Sequence, residues 1–177
     1  MASATGENPA IGKTIAGRYR IEAVADTGGE AVVYAARHDA LGKRVALKLL
    51  HTGPARTKAA AERFLARAKL AASLTGPHVN RIADFGESSD GSYMVMDWLE
   101  GEPLTTFLEK TESMSLDEAL DIVAQIGSAL TLAHAKNIVH GGLTPKRVLR
   151  VQQGDEQRIK VLGFGERADE EGQAVRA

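Results

Sequence analysis

Few residues in this 177-residue chain have types and spacing suited to chemistry. Gly6 with Gly12-Lys13-Thr14 approaches a phosphate-cradling loop, where glycine amides and a lysine hold an anion. Five residues rather than four separate the two glycines, however, and no buried strand leads in, so a linker reading is preferred. The five histidines, His38, His51, His78, His134 and His140, lack the clustering of metal ligands, and the absence of cysteine excludes disulfides and zinc–thiolate sites. His140 has no carboxylate or nucleophile beside it in sequence and is expected to be a buried histidine anchoring a loop rather than a base or ligand. A formal net charge of −1 creates no long-range field to gather nucleic acid or an anionic membrane. The composition, 44% hydrophobic and 25% charged, is that of a globular chain rather than a disordered one. No apolar run nears the ~20 residues of a membrane span, and the amino terminus has no secretory pattern, so a cytoplasmic protein is expected.

The elements that must position such residues follow from periodicity. Residues 1–17 are small, polar and marked by proline and glycine, which predicts a flexible lead-in with order beginning near Tyr19. Tyr19–Ala25, Glu30–Arg37 and Val45–Leu50 are apolar or β-branched runs broken by Thr27-Gly28-Gly29 and Asp39–Lys43, the pattern of an antiparallel meander. Over Thr57–Leu74 the period becomes helical, with Ala61, Phe64, Leu65, Ala68, Ala71 and Ala72 on one arc. Val79–Phe85 and Ser92–Trp98 read as two more strands around the turn-forming Ser88-Ser89-Asp90-Gly91. A short helix near Pro103–Lys110 precedes a long one, opening at Ser115 with Glu118 at capping-box spacing and running to about Lys136. Val148–Val151 and Arg158–Leu162 form a final strand pair, and the chain closes on an acidic tail.

That element order, with Val45-Ala46-Leu47-Lys48 in the third strand and Ile138-Val139-His140 after the long helix, resembles a protein kinase. With His134-Ala135-Lys136-Asn137 ahead of that loop, the chain looks like the bacterial Ser/Thr kinases over about residues 18–168. The resemblance implies an α+β kinase-like fold: a five-stranded N-lobe with one helix over 18–98, and over 99–168 a truncated C-lobe of a long helix and a short hairpin. A lead-in at 1–17 and a flexible acidic tail at 169–177 would flank them. Lys48 would be the lysine that reaches the nucleotide phosphates.

The departures from the family pattern matter most. The three loop glycines fall on Asp26, Gly28 and Ala31, so one survives, and close backbone approach to phosphate is impaired. Arg67 stands where the family has the glutamate that pairs with the strand lysine, and Glu62 lies on the opposite side of the wheel. Two cations, Lys48 and Arg67, would face each other unless an anion lay between them. The catalytic loop reads His140-Gly141-Gly142-Leu143-Thr144-Pro145-Lys146-Arg147. Gly142 replaces the catalytic aspartate, Thr144 the loop lysine, Arg147 the metal-binding asparagine, and Gly163 in Gly163-Phe164-Gly165 the metal-binding aspartate. The literal Asp84-Phe85-Gly86 precedes this loop and is expected to be a strand-end turn.

The long helix carries more apolar residues than one buried face needs. Leu116, Leu120, Val123, Ile126, Leu130 and Ala133 fill one arc, and Ile122, Ala129 and Leu132 widen it. Ile122, Ala129 and Leu132 are therefore the expected contacts for another protein or a second copy. The expectation is a catalytically inactive kinase-like module, a pseudokinase, serving as a protein-binding or regulatory domain. It would bind no metal and need no cofactor. The alternative is a degenerate Ser/Thr kinase or nucleotide sensor that retains weak, metal-independent ATP binding through Lys48 and Gly28, with Arg67 as an anion contact.

Overall fold

A computed structural model describes residues 8–50, 57–154 and 156–165. These form two compact units, one within Met1–Leu65 and Asp84–Trp98, the other within Ala66–Ala83 and Leu99–Ala177. The carboxy-terminal part of the second unit begins at Leu99. The segment 66–83, expected in the first domain, belongs instead to the second unit, because Leu74 and Val79 are buried in its core.

The first unit is an antiparallel sheet in the order β1-β2-β3-β4-β6-β5, comprising β1 (Thr14–Ile15), β2 (Tyr19–Thr27), β3 (Ala31–His38), β4 (Arg44–Leu50), β5 (Ile82–Ser88) and β6 (Gly91–Asp97). Period-two alternation sends Val45, Leu47 and Leu49 of β4 into the core, where Leu47 lies across from Tyr34 and Val95. Leu47, Val95, Ile15 and Ile21 are each no more than 1% exposed, and each such burial stabilises by about 1.5–3 kcal/mol. Two register shifts in β2, between Ile21 and Ala23 and between Val24 and Asp26, bend the strand toward the Thr27-Gly28-Gly29 turn. Helix α1 (Lys58–Ala72) buries Ala61, Phe64 and Ala68 as its wheel requires. His51 and residues 1–7 lie outside the described residues.

Residues 8–17 correct the expected lead-in. Thr14 and Ile15 pair with Arg20 and Tyr19, and Ile15 is fully buried. Gly12 and Gly17, at φ +84° and +66°, fold this short piece back on β2. A two-residue strand has no period to detect, so only its pairing reveals it. The same pairing disposes of the phosphate-loop motif: the Gly12 amide donates to the Ile21 carbonyl at 2.9 Å, and the Lys13 carbonyl accepts from the Ile21 amide.

The strand expected at Val79–Phe85 is shifted to Ile82–Ser88. Val79 instead makes an isolated parallel bridge to Val161. Asp84-Phe85-Gly86 thus lies inside β5 rather than in a strand-end turn. Asp84 accepts a 2.7 Å hydrogen bond from the Tyr19 hydroxyl and pairs with Arg18 at 3.0 Å. Burial, followed by the bond to Asp84, raises the Tyr19 hydroxyl well above its usual range.

In the second unit, β7 (Gly101–Pro103), β8 (Val148–Gln153) and β9 (Glu156–Val161) form an antiparallel sheet. The sheet packs with α2 (Leu104–Lys110) and α3 (Leu116–His134) around Leu104, Ile122, Val148 and Ile159. A second cluster holds Leu74, Val79, Ala129, Ala133, Ile138, Val161 and Phe164. Strand β7 was not visible in the sequence. It depends on Gly101, where a Cβ would collide with the Arg150 carbonyl. Half of the expected capping box forms: Ser115 Oγ accepts from the Glu118 amide, while the Glu118 carboxylate turns to Arg150 at 3.0 Å. No described helix is long and apolar enough to cross a membrane.

Candidate functional site

Helix α3 sets the start of the loop that carries the expected catalytic positions. It ends through Asn137, at φ 57°, a left-handed conformation that asparagine tolerates. The Ile138 amide returns to the Ala133 carbonyl at 2.9 Å, and Ile138 is buried in the core, so the next residues leave the helix in a fixed direction.

His140 is 3% exposed. Its Nε2 lies 2.9 Å from the Leu162 carbonyl, its Nδ1 accepts from the Gly142 amide at 3.3 Å, and its ring sits 4.8 Å from that of Phe164. With Nδ1 as acceptor, Nε2 carries the proton and donates to Leu162. The expected anchoring role is what the geometry gives. The Gly165 amide also donates to the His140 carbonyl at 3.2 Å, so this one residue ties Gly141-Gly142 to Leu162–Gly165.

The positions the sequence singled out converge here. The 3-10 turn Pro145–Arg147 is closed by the Arg147 amide on the Thr144 carbonyl, and the Leu162 amide donates to the Arg147 carbonyl, both at 2.9 Å. Arg147 is 5% exposed, and its Nη1 donates to the Gly163 carbonyl at 3.3 Å. The two positions where a kinase would hold its metal are therefore linked by a guanidinium and a main-chain oxygen. A buried cation is costly unless acceptors meet it, and the carbonyl supplies one. Gly142 is half-buried and Thr144 is exposed.

The resemblance implies a nucleotide and its metal ion at this site. A divalent magnesium ion requires several hard oxygen ligands. Arg147 has no acceptor atom and Gly163 no side chain, so this donor set does not fit such an ion. Among the described residues no group of three histidine, cysteine or carboxylate side chains could hold a metal. In the first unit, Lys48 is half-buried in β4, between Val33 of β3 and Met94 of β6. Gly28 turns β2 into β3, its amide donating to the Ala31 carbonyl at 2.9 Å, and a Cβ there would press on that oxygen at 3.3 Å. Asp26 Oδ1 accepts from the Thr27 amide at 3.0 Å. Arg67 is half-buried on α1 within the second unit, and Glu62 is exposed beside Lys58.

The expected partner contacts need correction. Ile122 and Ala129 are 6% and 2% exposed, and Leu132 is half-buried against the core. The uncovered residues are Leu116, Leu120 and Val123, at 73%, 57% and 64%. Both sets belong to the apolar arc; the core occupies the half centred on Ile122, Ile126, Ala129 and Ala133. Sequence reasoning also missed Arg150. Its guanidinium lies 3.2 Å from the Phe107 ring centroid and bonds Glu118 and Gln157, joining both helices to the sheet. Its only sequence signal is an arginine within a strand pattern.

Comparison with known proteins agrees with this fold. The protein kinase domain family matches residues 19–174. Serine/threonine-protein kinase PknA of Mycobacterium tuberculosis is 37% identical over 163 residues, which is 89% of this chain and 37% of that protein. Serine/threonine-protein kinase PrkC of Bacillus subtilis is 39% identical over 155 residues, 88% of this chain and 24% of that one. The chain thus spans well under half the length of either. The crystal structure of the Mycobacterium tuberculosis PknI kinase domain superposes with a TM-score of 0.74 at 28% identity, covering 89% of this chain and 63% of that domain. By sequence, element order and three-dimensional similarity, the chain belongs to the protein kinase family, among the Ser/Thr kinases of bacteria.

Proposed function

We propose that this chain is a pseudokinase: a kinase-like module without phosphoryl-transfer activity that serves as a protein-binding or regulatory domain in the cytoplasm. The observation that carries the reading is the buried Arg147 guanidinium on the Gly163 carbonyl. Phosphoryl transfer depends on positioning and on neutralising the charge of the transferred group, for which the family uses metal ions held by an asparagine and an aspartate. At those two positions this chain has a cation and a glycine. At the position of the aspartate that accepts the hydroxyl proton, Gly142 has no carboxylate. Metal holding and proton acceptance fail together at these three positions, and Lys48 supplies neither.

The test is incubation of the purified protein with labelled ATP and Mg²⁺, with and without a basic acceptor protein. Incorporation no higher than a no-enzyme blank is expected. Incorporation that vanishes in Lys48→Ala would overturn the reading.

A second reading, a degenerate kinase or nucleotide sensor, is favoured by the retained Lys48 on β4 and Gly28 at the β2–β3 turn. It requires ATP binding without metal, with Arg67 as a further anion contact. A thermal shift with ~1 mM ATP that persists in EDTA and is lost in Lys48→Ala would support it over the first, because ligand stabilisation grows as RT ln(1 + [L]/Kd).

A further inference from the structure

Residues 162–165 are held by the chain itself at each position. The Leu162 amide donates to the Arg147 carbonyl, and the Leu162 carbonyl accepts from His140 Nε2, both at 2.9 Å. The Gly163 carbonyl accepts from Arg147 Nη1 at 3.3 Å, and the Gly165 amide donates to the His140 carbonyl at 3.2 Å. Phe164, 4% exposed, lies against the His140 ring in a core with Leu74, Val79, Ile138 and Val161. Arg147 and His140 thus each grip the segment twice, from positions 5% and 3% exposed.

We infer that Arg147 is a tethered cation that joins the His140–Arg147 loop to the Leu162–Gly165 segment in place of a dissolved metal ion, so that neither metal nor nucleotide controls this junction. Donors and acceptors decide it. The family's pair at positions 147 and 163, an asparagine oxygen and a carboxylate, are both acceptors, and a cation from solution must come between them. Such a junction tightens when the ion binds and loosens when it leaves. Here the first partner is a guanidinium, which only donates, and the second is a main-chain carbonyl, which only accepts. The two are complementary as they stand. A divalent cation entering this space would meet the like charge of Arg147, so its binding is opposed. A ligand shifts an equilibrium only by its differential affinity for the two arrangements, and here the metal has none to offer the closed one. Burial strengthens the lock, because breaking a charge-assisted bond away from water would leave the charge without that acceptor. The lock rests on the pseudokinase reading for the family's metal positions, and it deepens that reading: the loop is a fixed surface rather than a ligand-operated one.

Amide hydrogen exchange of the intact chain, read by nuclear magnetic resonance, tests the lock without added ligand, with ~5 mM Mg²⁺, and with ~1 mM ATP and Mg²⁺ together. The Gly142, Leu162 and Gly165 amides, bonded to His140 and Arg147, should exchange within about twofold of one rate in all three conditions. Arg147→Asn, the family's residue, should quicken Leu162 and Gly165 about tenfold or more, and Mg²⁺ should not slow them again, because Gly163 brings no carboxylate. Arg147→Lys, which keeps a donor cation, should recover most of the protection, whereas Arg147→Met, which keeps only bulk, should not. Protection that rises about threefold or more with Mg²⁺ in the unaltered chain would overturn the proposal, as would Lys and Met variants that exchange alike. If Arg147→Asn does not fold, the ligand comparison and the Lys–Met pair still decide. None of these rates involves phosphoryl transfer. Labelled acceptor beside ligand-independent exchange would sink the pseudokinase reading alone, and ligand-dependent exchange without labelling would sink the lock alone.

Discussion

The Arg147 guanidinium donates to the Gly163 carbonyl oxygen at 3.3 Å from a position 5% exposed. The contact joins the 3-10 turn after the loop to the residues that follow β9, so its loss should register in folding as well as chemistry. Arg147→Ala removes the donor and leaves a cavity, with an expected cost of about 1–3 kcal/mol for the acceptor left unmade. Urea denaturation monitored by circular dichroism measures it. A change below ~0.5 kcal/mol would show that Arg147 is not a structural cation.

Restoring the family's aspartate at Gly163 should not recreate a metal site cheaply. Gly163 has φ 76°, in the left-handed region, where a residue with a Cβ costs roughly 1–2 kcal/mol. Gly163→Asp is therefore expected to lower the melting temperature with no compensating rise on adding Mg²⁺. A magnesium-dependent recovery would mean that a single carboxylate suffices to assemble the site.

At the other end of the chain, Tyr19 and Asp84 give a pH-dependent signature. Burial holds the Tyr19 proton on in the folded state, and the bond to Asp84 adds to it. The folded value lies above the unfolded one, so this contribution is complete below the ordinary tyrosine range near ~10 and is lost as pH rises through the folded value. Tyr19→Phe should lose about 1 kcal/mol at neutral pH, one hydrogen bond, and should melt with a shallower alkaline decline than wild type. Parallel alkaline profiles for the two proteins would refute the coupling.

Gly101→Ala tests the strand that no pattern announced. The added methyl would collide with the Arg150 carbonyl across β7 and β8, so the strand pair must open. A loss of about 1–3 kcal/mol, the range for overpacking, is expected. Amide exchange should quicken at Glu102 and Leu149 before β9 is affected. Unchanged protection there would show that β7 is dispensable.

The sequence alone determined the order of the longer strands and helices, though not the short β1 and β7, because period two and period 3.6 are properties of neighbours along the chain. It also determined that Gly142, Arg147 and Gly163 lack the groups a kinase uses, since a missing carboxylate can be read from residue type. The anchoring of His140 followed from the absence of any reactive neighbour. Tertiary structure alone decided which half of the α3 arc is buried. An arc spanning Leu116 to Ala133 admits several rotations, and contacts with Leu74, Val148 and Ile159 selected the one that covers Ile122 and Ala129 and leaves Leu120 and Val123 in water. It also decided that Thr14–Ile15 is a strand, since so short a segment gains its order only from hydrogen bonds to β2. The meeting of Arg147 with Gly163, 16 residues apart in sequence, likewise depends on the β8–β9 hairpin that folds one back on the other.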